Sequence, residues 1–457
     1  MLFQSFTFLF GLFPAAFALF WLLPRRSARQ TVVLVASYVF YGYWDWRFCG
    51  LLLLSSLVDF VAGGRIAAAG SEAAKRAWLG VSLAVNLGVL GFFKYWDFFA
   101  QSTNELLAAL GWQTSAPLLD VALPVGISFY TFQSLSYTLD VYRRRTEATR
   151  SLLKFLTFVS LFPQLVAGPI VRWTELDEQL DGVGRRCDPR LLALGAAFFI
   201  AGLFKKVCIA DAIYPMINTS RLPSLGLLEF WPAFLGGVFW IYYDFSAYSD
   251  MAVGLGLALG LKLPQNFDSP YKADSVADFW RRWHMTLGRF MRDYLFYEVG
   301  KHLKGRRGTL WNIAIVFTLI GLWHGANWNM VGWGIYMGLG MIVEIVGRRR
   351  GLKIRSRLAR QALVFLFWVN SSWLFRAGSL AETVSFLSAA GGGNGLGSPD
   401  WWMVAVLAAL ALHSFALPNL WQWKWRFSWW EAVALAAMFL ASVSRMFVER
   451  PFFYFQF

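Results

Sequence analysis

Histidine suits proton transfer near neutral pH: at an ordinary pKa of about 6.5, a neutral imidazole can take a proton from a hydroxyl nucleophile. The chain has four histidines, His284, His302, His324 and His413. His302 lies among Gly300, Lys301 and Lys304, where solvation accounts for it. His413 precedes Ser414 in an apolar run, which suits a helix-packing hydrogen bond. His324 is surrounded by Gly321, Trp323, Gly325, Asn327 and Trp328 at the junction of two apolar runs. An ionisable group at that depth is costly and usually faces a cavity or pathway, although an interfacial aromatic belt accounts for it equally well. On a helical wheel, His284 falls about 40° from Trp280, inside an apolar arc and opposite Arg281, Arg282, Arg289 and Arg292. A buried structural imidazole and a catalytic one both fit that place. Two histidines facing one cavity would suit acyl transfer.

Other soluble chemistries are missing. The sequence holds no G-x-x-x-x-G-K-[ST] phosphate loop, no H-E-x-x-H metal site, no G-x-S-x-G nucleophile elbow and no H-x-x-x-x-D pair. Cys49, Cys187 and Cys208 have no paired spacing, so neither a disulfide framework nor a cysteine metal site is expected. No metal is expected at all. Asp59, Asn86, Gln133, Asp140, Gln164, Asp244, Asp250 and Asn327 fall in or beside apolar runs, where a helix-to-helix hydrogen bond is the ordinary role. Gln133, Gln164, Asp244, Trp323 and Asn327 are the candidates to face an internal cavity. Gln133 and Gln164 stand out because an interrupted segment lies close by.

The elements that must position these residues are transmembrane helices. Of 457 residues, 57% are apolar and only 15% charged, which excludes a disordered chain, a coiled coil and a nucleic-acid-binding arm. Mean hydropathy is +0.48. Net charge is +15, and the basic residues fall between apolar spans, where orientation in a membrane requires them. The surplus therefore argues for topology and contact with membrane lipid; no nucleic-acid partner is expected. Spans are expected at about 2–23, 31–44, 49–62, 77–96, 120–141, 191–213, 230–249, 309–323, 330–346, 361–375, 401–417 and 430–447, with a Gly-rich apolar piece at 251–261. Arg25, Arg26 and Arg29 follow the first span with no basic residue before it, so it reads as an uncleaved helix with its N-terminus outside. Arg65, Lys75, Arg76 and Arg143 to Arg145 then fall inside, and the 97–117 loop, which lacks Lys and Arg, falls outside.

Two segments break this pattern. Residues 152–171 carry Pro163, Gly168 and Pro169, with basic residues on both sides, including Arg172, Arg185 and Arg186. A re-entrant or broken segment is expected there, which requires protein or a water-filled cavity around the freed backbone groups. Residues 262–308 are the least apolar, and 275–296 reads as one amphipathic helix at the inner interface. The glycines between 391 and 397 suggest a flexible outer loop. The reading is a single integral-membrane domain over 1–457.

Several runs resemble the membrane-bound O-acyltransferases, and among them the bacterial branch that serves alginate O-acetylation. They are LPVGISFYTFQSLSYTLDVYR (123–143), FPQLVAGPIVR (162–172), YYDFSAYSDMAVG (242–254), NFDSPYKADSVADFWRRWHMTLGRFMRD (266–293) and GLWHGANW (321–328), with the opening 1–24 and the ending FFYFQF (452–457). The resemblance implies an all-α polytopic fold, a ring of about 11–12 transmembrane helices around a central funnel, with re-entrant and interfacial helices. It implies that His324 is the essential histidine and that His284 holds the second family position. It also implies acetyl transfer from a cytoplasmic donor, acetyl-CoA, across the bacterial inner membrane to an exported polysaccharide. No permanently bound cofactor is expected. The implied partners are a periplasmic SGNH-type acetyltransferase and polysaccharide secretion machinery. Arg281, Arg282 and Arg289 are candidates for the donor's phosphates, a role that anionic lipid headgroups could equally fill. D-alanyl transfer toward teichoic acid, and a transporter or scaffold without chemistry of its own, are the competing readings.

Overall fold

The computed structural model describes residues 1–112, 114–182, 187–217, 219–448, 450 and 452. Arg185, Arg186 and the ending 453–457 lie outside the described residues. Among the described residues every regular element is a helix, as a chain in lipid requires when it must satisfy its own backbone hydrogen bonds. Two units emerge: residues 1–199 with 251–264, and residues 200–250 with 265–457.

In the first unit a π-helical stretch, Thr7–Leu12, leads into α1 (Phe13–Leu22). There follow α2 (Arg26–Gly42), α3 (Phe48–Ala68), α4 (Glu72–Leu90), α5 (Trp96–Ala109), α6 (Ile127–Tyr142), α7 (Leu152–Ser160), α8 (Phe162–Leu165) and α9 (Trp173–Gly182). The start expected near 120 moves to Ile127, because Pro124 and the left-handed Gly126, at φ 76°, precede α6. A Cβ on Gly126 would stand 2.9 Å from the Leu165 carbonyl oxygen, so only glycine allows the two backbones to meet there. The segment at 152–171 is broken: helical geometry stops at Leu161, and α8 lasts four residues before the chain leaves the helix. Gln164 Nε2 donates to the Phe158 carbonyl at 2.6 Å and so satisfies one of the freed backbone groups. Asp59 on α3 is fully buried and accepts hydrogen bonds from Ser82 Oγ at 2.5 Å, from Asn86 Nδ2 at 3.0 Å and from Ser134, which ties α3, α4 and α6 together.

α10 (Pro189–Phe204) starts in the first unit and ends in the second. After a π-helical stretch, Lys205–Ala210, come α11 (Asp211–Ile213) and α12 (Leu227–Ala258), whose last turns return to the first unit. The two pieces expected at 230–249 and 251–261 are thus one helix of 32 residues. The single amphipathic helix expected over 275–296 is instead α13 (Val276–Arg282), α14 (Met285–Phe290) and a π-helical stretch, Met291–Phe296. The remaining elements are α15 (Tyr297–Gly300), α16 (Gly305–His324), α17 (Trp328–Arg349), α18 (Arg357–Arg376), α19 (Leu380–Ala390), α20 (Trp401–Ala416) and α21 (Trp429–Val443). Side-chain caps start several of them: Ser356 accepts from the Ala359 N–H, Ser379 from Glu382 and Asp400 from Met403. Outside the spans, the Arg360 guanidinium, 2.8 Å from Asp274, holds that carboxyl below its usual range and anchors the start of α18.

By length and composition, Phe48–Ala68, Glu72–Ala109, Pro189–Ser224 and Trp328–Arg349 can cross a membrane. The other expected spans are helices that are shorter or more polar. The chain is an all-helical polytopic membrane protein.

Candidate active site

His324 is the last residue of α16, and Gly325, Ala326 and Asn327 alone separate it from α17. Asn327 closes the connection: its side-chain oxygen accepts from the Met330 N–H at 2.8 Å. One turn before His324 the two helices touch through glycine. A Cβ on Gly321 would lie 2.2 Å from the Met330 carbonyl oxygen, and one on Gly334 2.3 Å from that of Phe317. This close crossing fixes where the His324 ring stands. The ring is 4% exposed, with aromatic neighbours at centroid distances of 4.9 Å (Trp323), 5.2 Å (Trp333) and 5.7 Å (Phe375).

His284 reaches the same neighbourhood by a different local device. Between α13 and α14, Trp283 is extended and His284 adopts φ 43°, ψ 52°, a left-handed conformation. That conformation costs a non-glycine residue about 1–2 kcal/mol, and such strain is maintained only where the surroundings demand it. The imidazole is 1% exposed, packs edge-on against Phe245 at 4.8 Å and lies 6.3 Å from the Trp323 ring. Trp323 therefore touches the surroundings of both histidines. His284 Nδ1 is 3.1 Å from Asn266 Oδ1.

His284 also lines a cavity of about 520 Å³ with Ile313, Val316, Ile320 and Met341 among its apolar walls. This volume lies within the range of small-molecule sites. Arg281, Arg289 and Arg292 line it too, and its wall includes no Asp or Glu. Arg282, expected in the same set, is instead turned onto Asp278 at 2.8 Å and Asp268 at 3.4 Å. Arg281, its neighbour on α13, also lies 3.4 Å from Asp278, yet lines the cavity.

The remaining candidates are distributed differently. Asp244, fully buried on α12, forms an ion pair with Lys206 at 2.7 Å. Asn327 acts as the helix cap. Gln133 and Gln164 belong to the first unit and are both fully buried. The Gln133 side-chain amide has no hydrogen-bond partner among the described residues. His413 Nδ1 is 2.6 Å from the Tyr243 hydroxyl, and His302 is exposed in its loop. Residue types and spacing missed Asn266 and also Asn329, whose Nδ2 donates to the Ala377 carbonyl at 2.9 Å. Both positions were open to suspicion as polar residues bordering the two histidine-bearing runs.

The pattern described as "MBOAT, membrane-bound O-acyltransferase family" matches residues 125–381. The chain is 39% identical to the "Probable alginate O-acetylase AlgI" of Azotobacter vinelandii over 83% of its own length and 76% of that protein's. It is 34% identical to the peptidoglycan O-acetyltransferase of Helicobacter pylori, over 87% of this chain and 81% of that one. A more distant match, 27% identical over 48% of this chain and 56% of the other, is the teichoic acid D-alanyltransferase of Streptococcus thermophilus. On this pattern, and on identity that extends over most of both chains, the protein belongs to the membrane-bound O-acyltransferase family and is an acyltransferase.

Proposed function

We propose that this acyltransferase takes an acetyl group from acetyl-CoA on the cytoplasmic side of a bacterial inner membrane and passes it outward for O-acetylation of an exported polysaccharide such as alginate. The observation that carries the reading is the pair of buried histidines around Trp323, one of them lining a cavity with arginines and apolar walls. The arginines suit the phosphates of the donor, and the apolar walls suit its long uncharged arm. In the transfer, the acceptor's hydroxyl oxygen attacks the thioester carbonyl carbon. The C–O bond forms as the C–S bond breaks, and the hydroxyl proton passes through an imidazole to the leaving sulfur. His324 is the general base, and polar groups nearby stabilise the oxyanion.

The names of the more similar relatives support acetyl over D-alanyl transfer, because the D-alanyltransferase match covers less than half of the chain. A separate periplasmic SGNH-type acetyltransferase then modifies the sugar within the secretion machinery, and the N-terminus lies outside. The test is acetyl-CoA turnover by the purified full chain in lipid nanodiscs, with water standing in for the acceptor hydroxyl, read as release of thiol and acetate. Turnover is expected from the wild type and lost in His324→Ala. Equal turnover by both would remove His324 from the chemistry and favour a transporter or scaffold.

A further inference from the structure

Asn266 precedes α13 in sequence, yet its side chain makes four contacts around the kink that holds His284. Its Oδ1 lies 3.3 Å from the Thr286 backbone nitrogen, 2.9 Å from Thr286 Oγ1 and 3.1 Å from His284 Nδ1, while its Nδ2 donates to Ser249 Oγ at 3.1 Å. The Asn266 carbonyl also accepts from the Met285 N–H at 2.9 Å, and the Asp268 N–H donates to the Arg282 carbonyl at 2.9 Å. Residues 266–268 thus brace both ends of the left-handed turn at His284. Asn266 is 2% exposed, so its hydrogen bonds do not compete with water.

These contacts settle a question that ring geometry alone leaves open. A backbone N–H can only donate, so the amide atom facing Thr286 N must be the oxygen. That oxygen can only accept, so His284 Nδ1 must carry the hydrogen that points at it. In the neutral ring the lone pair then sits on Nε2. The Ser249 contact holds the amide in this orientation from the other side.

We propose that Asn266 is a positioning residue of the active site, fixing His284 in its left-handed turn with Nδ1 protonated and Nε2 as the basic nitrogen. This rests on the reading that His284 takes part in acyl transfer. The charged or titratable groups on the elements around His284 include His324 at the end of α16, Asp250 paired with Lys205 and Asp244 paired with Lys206 on the α12 side, Asp278, Arg281 and Arg282 on α13, Arg289 on α14, and Asp268 in the bracing segment.

The experiment uses the full-length protein in nanodiscs, with acetyl-CoA as donor probe, thiol release as the rate and ¹⁵N-histidine NMR as the tautomer readout. His284→Ala identifies the His284 resonances and shows whether that residue matters for rate. In the wild type, the His284 spectrum is expected to show protonated Nδ1. Asn266→Ala is expected to lose that signature and to lower kcat by ~100-fold with KM for acetyl-CoA little changed, as misorientation of a second imidazole that works beside the base His324 requires. Asn266→Asp keeps the acceptor oxygens and adds a negative charge. A carboxylate beside an imidazole stabilises its protonated form, so the acid limb of the rate profile should move upward by about 1 pH unit or more. A role confined to folding would leave that limb in place. Protonated Nε2 in the wild type, an unchanged rate in Asn266→Ala, or an unshifted profile in Asn266→Asp would overturn the proposal. If His284→Ala turns over acetyl-CoA as the wild type does, the proposal falls together with the catalytic reading of His284. If His284→Ala is inactive but Asn266→Ala is not, the proposal alone falls.

Discussion

Arg281, Arg289 and Arg292 line the His284 cavity, Arg281 with Asp278 at 3.4 Å and Arg292 with Asp293 at 2.7 Å, whereas Arg282 is outside its wall, on Asp278 and Asp268. If the cavity takes the phosphates of the donor, Arg289→Gln and Arg292→Gln should each raise KM for acetyl-CoA ~3–10-fold with kcat nearly unchanged, the scale of one partly solvated charge contact. Added salt should narrow the difference. Arg282→Gln should leave KM where it is, and a rise equal to that of Arg289→Gln would move the donor site elsewhere. The neighbours of His324 made it a candidate without deciding between a cavity and an interfacial belt, and the structure buries its ring among aromatic residues. The roles of Arg282 and Asn266 were not legible in the sequence. Asn266 matters through the break at Trp283–His284, which a helical wheel assumes away, and Arg282 through Asp268, a partner outside its helix.

At the scale of elements, the site depends on how closely α16 and α17 approach at Gly321 and Gly334. Gly334→Val would drive a side chain into the Phe317 carbonyl of the facing helix. It should cost ~2 kcal/mol or more, seen as a lower thermal midpoint, and should reduce acetylation by displacing His324. Gly332→Ala is the control, since the nearest atom to a Cβ there is 3.8 Å away. Equal midpoints for the two variants would show that the glycine crossing does not set the hairpin. Hydropathy located most helices because long apolar runs have no other use in water or lipid. It divided α12 at Ser249 and Asp250, two polar residues that look like an exit from the membrane. The helix continues because Lys205 pairs with Asp250 at 2.5 Å and Asn266 bonds Ser249, partners that lie far away in sequence. Local composition cannot reveal partners of that kind.

For the whole molecule, the basic residues between spans set the orientation, a compositional effect that a sequence displays directly. On the proposed orientation, Ser115→Cys, exposed in the loop without Lys or Arg, should react with a membrane-impermeant thiol reagent added to the outer face of the membrane. Arg355→Cys should react only from the cytoplasmic face. The reverse labelling would invert the proposed direction of transfer. Invisible to composition is the gathering of Ser249, Asn266, His284 and Trp323 from separate stretches of chain, which is where the proposed chemistry resides. The most direct measurement of the central claim is the acetyl content of the exported glycan in cells lacking the native gene and complemented with wild type or His324→Ala at matched membrane abundance. Acetylation restored by the wild type alone is the predicted result; equal acetylation by both would contradict a histidine-dependent acyltransferase.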